Sequence, residues 1–270
     1  MESSLSDNEQ FLGFCLRAVA DDKLFNNFKR NKIYNDILEH VSFHQGYQYL
    51  KYIVKRNYGL RGIIKLLKYY INLKKFKKND IIGNPRVYKY PIVGYISPTT
   101  LRYISIMLEL EDYFGSLEGL NICEIGGGYG GQYKIIDSYF KINTYTIIDL
   151  EPVLLLTKKF LSNYKLNSNI KFVKPNDLVN NNFDLMISNY AFSELNRFSQ
   201  DLYINKVIKF SNCGFMIYND ITPVNFNSYT AQDIVNMLDD AFLIPEKPKT
   251  GENISKIIWG KKDKKDFIYS

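Results

Sequence analysis

The segment Cys123-Glu124-Ile125-Gly126-Gly127-Gly128-Tyr129-Gly130-Gly131-Gln132 crowds five glycines into residues 126–131, directly after an apolar run and before a helix-like stretch to Tyr139. A chain with this feature has few options. Glycines let the backbone turn sharply and approach a ligand, and a strand-to-helix turn leaves N–H groups and a helix N-terminus free to hold it. Around the loop the texture fits that reading. Apolar runs at Asn121–Ile125, Tyr145–Ile148, Ile170–Val173, Asp184–Ser188 and Phe215–Tyr218 read as buried strands, with helical patterns such as Pro152–Leu161 and Asp201–Phe210 between most of them. Strands alternating with helices mark βαβ units, hence an α/β protein with a parallel sheet. Thr230-x-x-Asp233 is spaced to cap a helix through Leu238, Ile254–Trp259 reads as one more strand, and Asn180–Asn182 as a loop.

Residues 1 to about 78 differ. Apolar positions three or four apart in Phe11–Val19, Ile33–Val41 and Tyr47–Ile53 predict several short helices, and Gly83, Asn84, Pro85, Pro91, Gly94 and Pro98 then punctuate a connector. Ser97 followed by Pro98 opens a helix whose Leu101, Ile104, Met107 and Leu108 share a face. We therefore divide the chain into a helical N-terminal region, 1–95, and a core, 96–270. The net charge of +7 is concentrated: Lys51 to Lys89 holds twelve Lys or Arg against one acid, Asp80. Either this is a solvated helix face, with Ile63, Ile64, Leu66, Leu67 and Ile71 on the apolar side, or Lys65, Lys68, Lys74, Lys75, Lys77 and Lys78 form a landing surface for an anion.

Composition excludes several classes. With 46% hydrophobic residues the chain is neither disordered nor fibrous. No stretch reaches the ~20 apolar residues of a membrane span, and polar Met1–Glu9 is unlike a secretory signal. Three scattered cysteines, Cys15, Cys123 and Cys213, form neither a disulfide framework nor a thiolate metal site, which points to a reducing cytoplasm. With only two histidines, His40 and His44, no metal site is expected.

As a bare GxGxxG pattern, Gly126, Gly128 and Gly131 suit a dinucleotide, with Asp149 at the right distance for a ribose hydroxyl. Glu124, two residues before the first glycine, favours instead a ligand with a positive group, such as the ammonium and sulfonium of S-adenosylmethionine. Asp149 would then accept both ribose hydroxyls and Asp177 would reach the adenine amino group. Each acid alone is equally readable as a cap or a solvated turn.

CEIGGGYGG, TIIDLEP and FDLMISNYAFSEL resemble the class I S-adenosylmethionine-dependent methyltransferases. Gly83–Pro85, SPTTLRY at Ser97–Tyr103, EIGGGYGGQ, SNYAFSEL and Asn253–Gly260 resemble, more narrowly, the sugar O-methyltransferases of bacterial surface-polysaccharide gene clusters. The resemblance spans about Gly83–Gly260, more faintly Glu39–Ile53. It implies a Rossmann-like seven-stranded sheet with the cofactor above the C-terminal strand ends. Glu124, Gly126, Gly128 and Gly130 would line the methionine part, Asp149 the ribose and Asp177 the adenine, with Asn189 and Tyr190 near the transferring methyl. Asn189-Tyr190-Ala191-Phe192 departs from the Asn-Pro-Pro-aromatic sequence of many N-methyltransferases, which weakens an amine acceptor.

A sugar hydroxyl is a poor nucleophile while protonated, so a base should add roughly 10²- to 10⁴-fold. Glu194 is the first candidate for base or acceptor ligand, Tyr190 for packing on the sulfonium or orienting the acceptor. His40 and His44, spaced i, i+4, would share a helix face and supply an imidazole, with two ordinary helix residues as the alternative, and Asp220 is a further candidate for a base or for a magnesium ligand. The expectation is methylation of a sugar or nucleotide-sugar oxygen, on a neutral or an anionic acceptor, with S-adenosylhomocysteine released. A nucleic-acid or other small-molecule methyltransferase, including one for a phosphoryl or carboxylate oxygen, and a nicotinamide-dependent oxidoreductase are the rivals. No nucleic-acid partner is expected, since no RNA-binding module is recognisable.

Overall fold

The computed structural model describes Ser4, residues 8–56 and residues 69–260. Seven strands form one sheet: β3 (Asn121–Ile125), β4 (Thr144–Ile148), β5 (Asn169–Val173), β6 (Phe183–Asn189), β7 (Ser211–Asn219), β8 (Phe242–Pro245) and β9 (Ile254–Trp259). Their order is β5-β4-β3-β6-β7-β9-β8, parallel except β9, which runs antiparallel to both β7 and β8. This is the seven-stranded Rossmann-like sheet that the resemblance implies. The chain leaves β3 towards one edge and returns to β6 on its other side, so the switch point, where open α/β sheets bind ligands, lies between β3 and β6.

Side-chain alternation separates two cores, one on each face. Ile122, Tyr145, Ile147, Leu185, Ile187, Phe215 and Ile217 enter a large core, whereas Cys123, Ile125, Met186, Met216 and Tyr218 enter a smaller one. Against the large core pack α3 (Pro98–Phe114), α4 (Gly131–Asp137) and α5 (Glu151–Leu161); against the smaller lie α6 (Arg197–Lys206) and α7 (Ala231–Met237). Helix α3 is buried around most of its circumference, so the expected single apolar face is too narrow a description. Its start is held firmly. Ser97 caps the Thr100 N–H, and Asp80 accepts from the Ser97 N–H, the Ser97 hydroxyl and the Thr100 hydroxyl at 2.7, 2.7 and 2.6 Å. The Thr230–Asp233 capping box forms as its spacing predicts.

The N-terminal helices α1 (Glu9–Ala20) and α2 (Phe43–Arg56) pack on α5 and α3 respectively, so Phe11, Phe14 and Tyr34 share one core with Ile147 and Ile258. Lys29 pins this layer in place: it is 1% exposed, donates to the Asn79 carbonyl at 2.7 Å, and lies over the rings of Tyr129 and Phe160. Burial lowers its ammonium to about 8. A hairpin of β1 (Tyr88–Tyr90) and β2 (Gly94–Ile96), which the proline-rich connector did not suggest, props α2: Gly46 sits so close to Tyr90 that a Cβ there would lie 2.2 Å from its hydroxyl.

Of the basic stretch, Ile63, Ile64, Lys65, Leu66, Leu67 and Lys68 fall outside the described residues. Ile71 does not line an apolar side. It is 76% exposed, and Tyr69, Leu73 and Phe76 are the buried positions there.

Candidate functional site

At the switch point the C-terminal strand ends enclose a crevice of about 970 Å³, within the ordinary range for small-molecule sites. Gly126, Gly128, Asp149, Asp177, Asn189 and Glu194 line it. Gly126 follows β3 with φ 75° and passes under Ala191, where a Cβ would lie 2.0 Å from the alanine Cβ. Only glycine fits that turn.

Asp149, at the end of β4, is aimed by two backbone donors: the Gly128 N–H at 3.0 Å and the Leu150 N–H at 2.8 Å, one on each oxygen. Each oxygen keeps a second lone pair for a ligand hydroxyl. Burial raises its carboxyl to about 6, partly offset by those two N–H groups. Asp177, in the turn after β5, is exposed on the same wall, 3.7 Å from the Lys174 ammonium. Asn189 ends β6; its amide nitrogen donates to Glu124 at 3.5 Å, and its buried Oδ1 has no donor in the structure.

Two sequence-based assignments on the cofactor side change. Glu124 is not on the crevice wall: its side chain faces the large core, where Oε2 accepts from the Tyr145 hydroxyl at 2.8 Å, and burial raises its carboxyl to about 8. Its influence passes through Asn189. Gly130 lies away from the crevice against α5, where a Cβ would meet Leu161 and Thr157 at 3.0 Å, so its smallness serves helix packing. Tyr129, inside the loop, is a buried link to the N-terminal layer through the Asn79 amide at 3.0 Å.

Tyr190 has φ 70°, unusual for a bulky residue and costly by roughly 1–3 kcal/mol. The turn after β6 enforces it, with the Tyr190 N–H donating to the Ile217 carbonyl and the Ser193 N–H to the Tyr190 carbonyl. The Tyr190 hydroxyl donates to Glu246 at 2.7 Å, and Glu246 also accepts from Thr250 N–H and hydroxyl at 2.8 and 2.6 Å. Burial holds the Tyr190 phenol well above its ordinary value, so it is a wall and a donor, not a base. Glu194 lies four residues on, half-buried in the crevice. Burial raises its carboxyl, opposed by a hydrogen bond from Asn219, which moves it towards the range a base needs.

The histidines separate. The chain makes a π-helical turn over Asn35–Glu39 and then leaves the helix until Phe43, so His40 and His44 share no helix face. His40 lines the crevice at its mouth, where partial burial and then the Arg102 charge lower its pKa; His44 is exposed and outside it. Asp220 is likewise outside the crevice, and accepts from the Ala231 N–H at the start of α7. In their place stand residues the sequence reading passed over. Arg102, Gln45, Tyr49 and Thr250 also line the crevice, with Gln45 donating to the Thr250 carbonyl at 3.4 Å. No local signal marks Arg102, which is one of four charged residues in α3 with Glu109, Glu111 and Asp112.

Among the described residues no three or more His, Cys, Asp or Glu side chains are grouped to hold a metal ion, and no helix is long and apolar enough to cross a membrane.

No protein-family model and no curated protein sequence matches the chain. Solved structures similar to it include a provisionally assigned RNA methyltransferase from Pyrococcus horikoshii, at 15% identity over 70% of this chain and 94% of that one, TM-score 0.40. The mitomycin 7-O-methyltransferase MmcR matches at 10% identity over 60% of this chain and 54% of its own, TM-score 0.43. A phosphoethanolamine N-methyltransferase from Haemonchus contortus, solved with S-adenosylhomocysteine, matches at 12% over 53% of this chain and 39% of its own, TM-score 0.42. The chain thus spans about half or less of the length of the last two. At that distance the likeness carries nothing about substrate or chemistry.

Proposed function

We propose that the protein is an S-adenosylmethionine-dependent methyltransferase that methylates a sugar oxygen, with the N-terminal region 1–95 covering the acceptor. The observation that carries this reading is the pairing, in one crevice, of a carboxylate pre-aimed by two N–H groups with a buried, unpaired amide oxygen. Asp149 suits a ribose diol, and Asn189 Oδ1 suits the ammonium of the methionine moiety; Gly126 gives the backbone room between them. S-adenosylmethionine supplies an electrophilic methyl on a sulfonium. The residues present do the rest. Tyr190, held by Glu246, orients the acceptor. Glu194 takes the hydroxyl proton as the oxygen's lone pair forms the new bond to carbon and the carbon–sulfur electrons stay on sulfur, leaving S-adenosylhomocysteine. A crevice of about 970 Å³ favours a small acceptor over a nucleic-acid duplex.

Methyl-labelled S-adenosylmethionine incubated with a panel of sugars, sugar phosphates and nucleotide sugars tests the reading. Label on a sugar oxygen with stoichiometric S-adenosylhomocysteine is expected. Label on RNA alone, or turnover of NAD with no methyl transfer, would contradict it.

A further inference from the structure

Four cations among the described residues are buried: Lys29, Arg102, Lys134 and Lys256. Three are saturated. Lys29 has the Asn79 carbonyl and two ring faces. Lys134 donates to the Ser138 hydroxyl at 2.7 Å, and Lys256 is paired with both oxygens of Glu109 at 2.9 and 2.8 Å and with the Lys247 carbonyl. Arg102 is the exception. It is 8% exposed, yet it lines the crevice. Its Nη2 makes one long bond, 3.4 Å, to the Leu38 carbonyl, and its sealed Nε has no acceptor. Tyr103 and Tyr190 flank the guanidinium at 5.4 and 5.9 Å. Among the described residues no carboxylate stands within ion-pair distance. Glu39, which feels its charge, is influenced more by Lys29 and is not bonded to it.

A guanidinium that is nearly all buried, with its sealed Nε unpaired and only a long bond to Leu38 and a hydrogen bond with the Tyr103 side chain elsewhere, is costly unless an anion completes it. The fork geometry suits a carboxylate or phosphate bidentately. Its surroundings, Leu38, Gln45, Tyr49, Tyr190 and Thr250, come from the N-terminal region, the turn after β6 and the β8–β9 loop, and Leu38 also packs on Gly128 of the glycine loop. We infer that Arg102 anchors an anionic group of the acceptor, so that the substrate is an acidic or phosphorylated sugar. This rests on the methyl-transfer reading of the same crevice.

The test is an NMR titration of arginine-labelled full-length protein, saturated with S-adenosylhomocysteine, at constant ionic strength. Inorganic phosphate and acetate are the probes, and the Arg102 Nε–H signal is the readout. A saturable shift with at least one probe is expected, with phosphate or acetate preferred according to whether the acceptor is phosphorylated or carboxylated. In R102Q and R102K, where that signal is gone, the affinity of the same probe is read by calorimetric titration beside the wild type: R102Q should lose tenfold or more, and R102K, which keeps charge without the fork, should lose most of it. S-adenosylhomocysteine affinity should stay within twofold in both, and circular dichroism of each variant confirms folding. If R102Q and R102K weaken S-adenosylhomocysteine but not 5′-methylthioadenosine, Arg102 holds the cofactor's carboxylate and the inference fails. It fails equally if neither probe moves the Arg102 signal in the loaded wild type. Wild type that does not bind S-adenosylhomocysteine at all overturns the underlying reading first, and the inference with it.

Discussion

The two ends of the crevice are built differently. The cofactor end comes from consecutive strand ends, each offering one residue at the turn: Gly126 after β3, Asp149 after β4, Asp177 after β5, Asn189 at the end of β6. The acceptor end is assembled from segments far apart in sequence: Gln45 and Tyr49 on α2, Arg102 on α3, Tyr190 and Glu194 after β6, Thr250 between β8 and β9. The first end is held by backbone hydrogen bonds, so its geometry is inherited from the sheet. The second depends on side-chain packing and buried polar links such as Tyr190 to Glu246 and Lys256 to Glu109. Affinity for a common cofactor and choice of acceptor should therefore be separable by mutation.

The largest separation is expected for Glu194→Gln. It keeps size and hydrogen bonding but not basicity, so kcat should fall about 10²-fold or more while S-adenosylhomocysteine affinity stays unchanged. Steady-state kinetics beside equilibrium dialysis would show it. An unchanged kcat moves the base elsewhere, with His40, at the crevice mouth, next to be replaced.

Asp149→Ala is the converse. Losing a charged acceptor for two ribose hydroxyls should weaken cofactor binding by about 1.5–3 kcal/mol, with the acceptor end intact. Loss of acceptor binding alone would break the comparison.

Two pH effects come next. Because burial raises Asp149 to about 6, the carboxylate that accepts the ribose protonates as pH falls through that value, so cofactor affinity should drop from pH 7 to pH 5 and level out in Asp149→Asn. Glu124 acts on stability. Its carboxyl is raised from an ordinary 4.5 to about 8, so the unfolded chain ionises it first. Its contribution is full below about 4.5 and is lost as pH rises through about 8, with a slope of at most about 1.4 kcal/mol per pH unit. Thermal melts of the ligand-free protein should lose that slope in Glu124→Gln.

The smallest effect concerns the basic stretch. If the acceptor's anion sits on buried Arg102, its KM should change by about twofold or less between 0.05 and 0.5 M salt, since buried pairs are screened weakly. A steep rise would place docking on exposed lysines such as Lys74, Lys75 and Lys78.

The same contrast explains what was legible in the sequence. Glycines in a strand-to-helix turn have few alternatives, so β3, the loop and the strands to β7 lie close to their predicted positions, and the Ser97 and Thr230 caps do too. Asp149 was readable as a crevice residue because its place at a strand end sets it there. Glu124 was misplaced because period-2 alternation decides which face a strand residue takes, and it faces Tyr145. The strand Phe242–Pro245 escaped because it is short, on the sheet edge and ends in proline, as an edge permits. Arg102 and Glu246 were invisible as a site, because what defines them is contact between segments 56 to 64 residues apart or a missing partner, neither of which local pattern records. The i, i+4 spacing of His40 and His44 misled for the opposite reason: the helix it presupposes breaks between them.

The central claim is that the crevice between β3 and β6 takes an S-adenosyl cofactor. Calorimetric titration of the wild-type chain with S-adenosylhomocysteine and, separately, with NAD tests it most directly. Saturable one-to-one binding of S-adenosylhomocysteine with none of NAD is the predicted result. NAD binding that S-adenosylhomocysteine cannot displace, or no binding of S-adenosylhomocysteine, would contradict it.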